Sequence, residues 1–173
     1  MSRNVEIKAK INDFKSFLMK ANAISDKPAV ILKQVDTYFK VPNGRLKLRQ
    51  IENLKSELIY YDRPDTEGPK LSNYHKKEFQ NSDEVEGLRE ILESSLGLVG
   101  VVSKERHLLI CGQTRIHVDD VKDLGYFMEL EVMLKEGETI EYGENIAQDL
   151  MSKLGIEKEN LLSGSYINLI NKT

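Results

Sequence analysis

The feature that most constrains this chain is a repeated alternation of apolar residues with closely spaced charged ones. In residues 3–11, Val5, Ile7, Ala9 and Ile11 alternate with Asn4, Glu6, Lys8 and Lys10. Successive side chains of an extended strand point to opposite faces, so this segment reads as a strand with one apolar and one polar face. The arrangement returns with Arg45, Lys47 and Arg49, with Lys104 and Arg106, with Arg115, His117 and Asp119, and with Glu129 and Glu131. A solvated face explains one such strand, but five with the same pattern point to a shared polar interior. A sheet curled into a barrel turns these faces into its lumen and leaves its apolar exterior to be covered by helices.

The helices have their own signals. Phe14, Phe17, Leu18 and Ala21 form an apolar stripe at helical spacing over 13–23, with Asn12 or Asp13 as cap. Val85, Leu88, Ile91, Leu92 and Leu96 do the same over 82–96, with Ser82 as the expected cap and Gly97 as the stop. Ile146, Leu150, Met151 and Leu154 mark a third helix over 143–154 ending at Gly155, and a short helix is expected within 161–170. Further strands are expected at 30–41, 56–61, 72–80 and 99–110, with turns such as Pro42-Asn43-Gly44 between them. Hairpin-connected strands favour an antiparallel sheet, so the expected class is α+β: an eight-stranded antiparallel barrel in one domain spanning 1–173.

Composition excludes several classes. Hydrophobic residues make up 40% and charged residues 31%, which fits a globular chain and argues against disorder. The net charge of -3 gives no global attraction to nucleic acid or anionic membrane. Aromatic residues do not interleave the basic strands as stacking platforms would, so no nucleic-acid partner is expected. No apolar run approaches the roughly 20 residues of a membrane span, and the chain opens on a charged strand, so no membrane partner is expected either. The single cysteine, Cys111, follows Leu108, Leu109 and Ile110 and reads as an inert thiol in a reducing compartment, with the cytoplasm as the expected location.

The chemistry follows from the expected lumen. If the two runs 115–119 and 128–134 pair as a hairpin, Asp119, Glu129 and Glu131 form a carboxylate cluster suited to a hard divalent cation. Like charges enclosed together cost several kcal/mol each unless neutralised, on the order of the penalty for a buried ion. Cations facing carboxylates match the needs of a linear polyphosphate carrying bound Mg²⁺ or Mn²⁺.

These residues resemble the CYTH superfamily of class IV adenylyl cyclases and thiamine triphosphatases, whose fold is an eight-stranded antiparallel triphosphate tunnel. Asn4-Val-Glu6-Ile-Lys8 is similar to the family's Glu-x-Glu-x-Lys signature without its first glutamate. Gln34-Val-Asp36-Thr-Tyr38-Phe39 with Pro42 resembles the second-strand motif, closest to the cyclase-like branch, and Leu46-Lys47-Leu48-Arg49 resembles a Leu-Arg-x-Arg strand. Lys104-Glu-Arg106, Arg115-Ile-His-Val-Asp119, Leu124-Gly125 and Glu129-Leu-Glu131 resemble the later strands, so the match runs along nearly the whole chain. The resemblance implies that Glu6, Asp119, Glu129 and Glu131 hold divalent metal, Mg²⁺ or Mn²⁺. It implies that Lys8, Lys47, Arg49, Lys104, Arg106 and Arg115 grip the triphosphate. Glu6, Tyr38, Glu129 and Glu131 become the candidate catalytic residues, although a phenol of ordinary pKa, about 10, is a poor base and Tyr38 reads more plainly as a packing or donor group. His117 likewise reads more plainly as a hydrogen-bonded lining residue than as a ligand. Asn4 implies weaker binding of one of two metals. Tyr61 stands where relatives carry a lysine, for which Arg63 or Lys70 are the nearby substitutes.

The expected function is metal-dependent hydrolysis of the terminal phosphate of a small triphosphate, inorganic, organic or nucleoside. Two alternatives stand beside it: an adenylyl cyclase making cyclic AMP and pyrophosphate, and a binding module without turnover. Monomer and homodimer are both left open.

Overall fold

A computed structural model describes residues 2–172. Eight strands form one closed antiparallel barrel. In chain order they are β1 (Ser2–Lys10), β2 (Val30–Phe39), β3 (Arg45–Ile51), β4 (Ser56–Asp62), β5 (Lys70–Phe79), β6 (Leu98–Cys111), β7 (Thr114–Val121) and β8 (Gly125–Met133). Around the barrel the order is β1-β5-β4-β3-β2-β6-β7-β8, with β8 pairing back to β1. Closure leaves no unpaired strand edge. Four helices accompany it: α1 (Phe14–Ile24), α2 (Ser82–Leu96), α3 (Ile140–Leu154) and α4 (Tyr166–Lys172).

The packed core lies outside the wall. Val5, Ile7 and Ala9 of β1, Ile116 and Val118 of β7, and Met128, Leu130 and Val132 of β8 are fully buried on the outer face. Phe17 and Ala21 of α1 and Ala147, Leu150 and Leu154 of α3 cover them. Each such apolar side chain removed from water contributes roughly 1.5–3 kcal/mol, so these layers stabilise a barrel whose inside cannot. On the other side Val85 of α2 packs on Phe39 and Leu48.

Helix ends follow local chemistry with two shifts from expectation. Asp13 caps α1 by accepting from Ser16 N at 3.0 Å. The cap of α2 is Asn81, whose side chain accepts from Asp83 N at 2.9 Å, while Ser82 is already helical. Thr139 caps α3 by accepting from Tyr142 N at 3.1 Å, so that helix starts three residues before the expected 143. Gly155 ends it at φ 67, a left-handed conformation that favours glycine.

The last helix, α4, closes one end of the barrel. Tyr166 and Ile167 pack on Tyr38, Ile59, Tyr61, Val102, Val121 and Phe127. Gly100 of β6 makes room, because a Cβ there would lie 2.7 Å from Ile167 Cδ1. The approach is pinned by Leu162 N donating to Lys8 O at 2.9 Å and by a bridge between Ala9 and Leu161. The expected tunnel is thus present and is floored at one end by α4.

Candidate active site

The barrel encloses a cavity of about 900 Å³. Strand registers decide which charges meet in it. On one wall Tyr38 faces Lys47 and Asp36 faces Arg49 across β2–β3, while Gln34 faces Lys104 across β2–β6. Asp36 is fully buried and gathers these cations: Arg49 Nε and Nη2 each donate to it at 2.8 Å, Lys104 Nζ donates at 2.9 Å, and Lys47 Nζ lies at 3.5 Å. Burial alone would raise its pKa, but Arg49, Lys104 and Lys47 outweigh burial and hold the carboxyl well below its usual range. One carboxylate cannot neutralise three cations, so this wall keeps positive charge for an anion. Burial and the neighbouring arginines bring Lys104 down to about 7, and Lys47 falls to about 8.

The opposite wall carries the acids. Across β1–β8 Glu6 faces Glu131 and Lys8 faces Glu129; across β7–β8 His117 faces Glu129 and Arg115 faces Glu131. Lys8 Nζ lies 3.4 Å from Glu129, and Arg63 Nη1 lies 3.1 Å from Glu6. One ligand atom from each of His117, Glu129 and Glu131 falls within 4.8 Å of the others. Burial would raise Glu129, yet Lys8 and Arg106 hold it well below the usual carboxylate range. Burial, with Glu129 and Glu6 beside it, pushes Glu131 up to about 7. Burial and then Arg106 lower His117 well below its ordinary value, leaving a neutral imidazole at neutral pH.

A divalent cation fits this cluster. Among the described residues the buried Nδ1 of His117 has no hydrogen-bond partner, its Nε2 lies 3.9 Å from Glu131, and Glu129 and Glu6 add to the burial that raises Glu131. Two carboxylates and a neutral imidazole suit Mn²⁺ well and Mg²⁺ through its oxygens.

The other expected site residues fall as follows. Lys8, Lys47, Arg49, Lys104 and Arg106 line the cavity. Arg115 lines its mouth, with an exposed side chain 4.0 Å from Glu131. Glu6 sits beside the acid cluster, engaged with Arg63. Asp119 is not brought into the cluster: it faces Phe127 rather than a glutamate, and its two oxygens take Arg106 at 2.8 and 2.7 Å, with Tyr166 Oη donating at 2.8 Å. Burial pushes the Tyr38 phenol well above its usual pKa, and it shares a hydrogen bond with Tyr61, which leaves it protonated. Of the two cations near Tyr61, Arg63 reaches the cavity, whereas Lys70 Nζ donates to Thr66 O at 2.6 Å and Leu162 O at 3.3 Å. Asn4 is buried in the lining, its Oδ1 unpartnered among the described residues. Asp36, Arg63 and Tyr166 were not singled out as site residues by the sequence pattern. Asp36 had a legible signal, lying two residues from Tyr38 on the same strand face, and Arg63 had one as a nearby cation for the lysine missing at Tyr61.

A closed eight-stranded antiparallel barrel with this charged lumen is the triphosphate tunnel fold. A CYTH domain is matched over residues 2–166, and the chain belongs to that family. Among solved structures it is similar to the PH1012 protein from Pyrococcus horikoshii OT3, at 26% identity and a TM-score of 0.81, covering 96% of this chain and 98% of that one. A putative adenylate cyclase from Vibrio parahaemolyticus superposes with a TM-score of 0.80 at 16% identity over 97% of both chains. A putative adenylyl cyclase from Hippeastrum, described as having a dominant triphosphatase activity, gives 0.64 at 13% identity, covering 98% of this chain and 95% of that one. No curated protein matches the sequence. Among the described residues no helix is long and apolar enough to cross a membrane.

Proposed function

We propose that the protein is a metal-dependent triphosphatase that releases the terminal phosphate of a small triphosphate. The observation carrying this reading is the division of the lumen into a cationic wall around Asp36 and an acid–imidazole wall of His117, Glu129 and Glu131. Phosphoryl transfer needs little covalent help, and its loose transition state is served by positioning and by cations near the equatorial oxygens. Lys47, Arg49 and Lys104 would hold and align the chain of phosphates. Arg106, fixed by its two bonds to Asp119, would present a rigid guanidinium with no freedom to reorganise during reaction. Lys104, near pKa 7, would be drawn fully to the ammonium by an arriving phosphate oxygen.

His117, Glu129 and Glu131, with Glu6 beside them, would hold the divalent cation, which when bound supplies charge neutralisation and a polarised water. Asn4, uncharged where the family motif has a glutamate, leaves a second cation weakly held. Asp119 then acts as a positioning residue for Arg106 rather than as a ligand.

The test is product analysis. Purified protein incubated with tripolyphosphate, thiamine triphosphate or ATP, with Mg²⁺ or Mn²⁺, is expected to release orthophosphate. Cyclic AMP with pyrophosphate would replace this reading with the cyclase. Tight metal-dependent binding without turnover would replace it with a binding module.

A further inference from the structure

The mouth of the cavity has a composition that neither phosphate nor metal requires. Along the inner face of β6 the side chains run Lys104, Arg106, Leu108, Ile110, passing from charged to aliphatic toward the open end. Neighbouring strands change in the same way: Leu32 precedes Gln34 on β2, and Ile51 follows Arg49 on β3. Across the strands each of these aliphatic side chains borders a polar one, Ile51 facing Gln34, Leu32 facing Arg106, Leu108 facing His117 and Ile110 facing Arg115, so they edge the phosphate and metal walls. Leu54, in the turn after β3, completes the ring and is 59% exposed. The aromatic lining residues are elsewhere: Tyr38, Tyr61 and Tyr166 belong to the floor under α4, and Tyr74 packs against it.

We propose that this aliphatic collar receives the organic group of the substrate. The protein then prefers a triphosphate ester of an uncharged, flat group such as a nucleobase over inorganic tripolyphosphate. The proposal rests on the triphosphate reading above and narrows its substrate class. Tripolyphosphate gains nothing from aliphatic walls, whereas a ring passing between Leu32, Ile51, Leu54, Leu108 and Ile110 removes apolar surface from water on both sides. A cationic ring such as a thiazolium is held best by aromatic faces or by an unpaired carboxylate. The aromatic rings lie at the floor, and of the carboxylates near the mouth Glu57 is paired with Lys76 at 3.0 Å and Glu78 with both Lys76 at 3.0 Å and Lys55, while Glu131 belongs to the proposed metal site. A cavity of about 900 Å³ also has room for such a group, lying within the roughly 300–1,000 Å³ of sites for drug-sized ligands.

Calorimetric dissociation constants for ATP, thiamine triphosphate and tripolyphosphate, measured with Ca²⁺ present, test this directly. Wild-type protein is expected to bind ATP more tightly than the other two. In Leu54→Ser and in Leu108→Ser the ATP-to-tripolyphosphate preference is expected to fall about tenfold, the scale of one lost apolar contact in a pocket. Leu54 is exposed, so its variant keeps the fold even if Leu108→Ser does not. Equal binding of ATP and tripolyphosphate, tighter binding of thiamine triphosphate than ATP, or an unchanged preference in the Leu54 variant overturns the collar while leaving the triphosphate reading intact. Binding of none of the three overturns both.

Discussion

Glu131 is the residue whose behaviour reports most directly on the acid cluster. Its carboxyl titrates at about 7 in the folded protein, against about 4.3 for glutamate in an unfolded chain. Between those values the folded protein holds a proton that the unfolded chain has released, so stability falls as pH rises through that window. Urea midpoints at pH 5 and pH 7.5 are expected to differ between wild type and Glu131→Gln by this fall, because the lowered pKa of His117, which acts in the opposite sense over the same window, is common to both proteins. The same proton must leave for a cation to bind, so Mn²⁺ affinity should weaken by up to about tenfold per pH unit below 7, measured by titration. A pH-independent affinity would remove Glu131 from the metal site. Alternation placed Glu129, Glu131, Lys47, Arg49 and Lys104 on the lumen face correctly, because the side-chain period of two is set by the backbone alone. It could not give depth. Asp119 shares that face but lies two residues farther toward the floor, opposite Phe127, where Arg106 claims it.

At the scale of elements, the apolar stripes of α1, α2 and α3 made those helices legible, since each must cover an outer sheet face. The fourth was foreseen only as a short helix in the tail, and its task was not. Nothing in a seven-residue helix states which end of a barrel it will stop; that depends on Gly100 leaving room for Ile167 and on Tyr166 reaching Asp119. Arg63 was uncertain for a similar reason, since it follows the end of β4 and no strand period governs it. The floor has a measurable worth. Ile167 is 2% exposed, and Ile167→Ala is expected to lower stability by about 2 kcal/mol, at the low end for a buried isoleucine truncated to alanine. Equilibrium unfolding measures it, and an unchanged midpoint would mean that α4 does not close the barrel in solution.

For the whole molecule, recurrence of polar faces in five strands was enough to predict a barrel turned inside out. The order of strands was not readable, because β1–β5 and β2–β6 are long-range pairings that only closure specifies. An empty lumen of this kind holds charge that a ligand can neutralise, so occupancy should stabilise the entire fold. Tripolyphosphate with Mg²⁺ at one hundred times its dissociation constant is expected to add about 2.7 kcal/mol, read as a rise in Tm. The double variant Glu129→Gln with Glu131→Gln should stay folded and lose the Mg²⁺-dependent part of that rise. A wild-type shift that is the same with and without Mg²⁺ would remove the metal assignment.

The packed layer outside the wall and the reactive groups inside it occupy opposite faces of the same strands. Val5, Ile7 and Ala9 alternate with Asn4, Glu6 and Lys8, so a substitution at one set leaves the other in place. Over generations such a wall can exchange acid for amide along its lumen while its outer support is inherited unaltered. Asn4 shows that the lumen face tolerates an amide beside Glu6 and Lys8 without disturbing Val5 behind it. Selection for turnover and selection for folding therefore act on different positions of each strand, which lets one scaffold explore new chemistry without first becoming fragile.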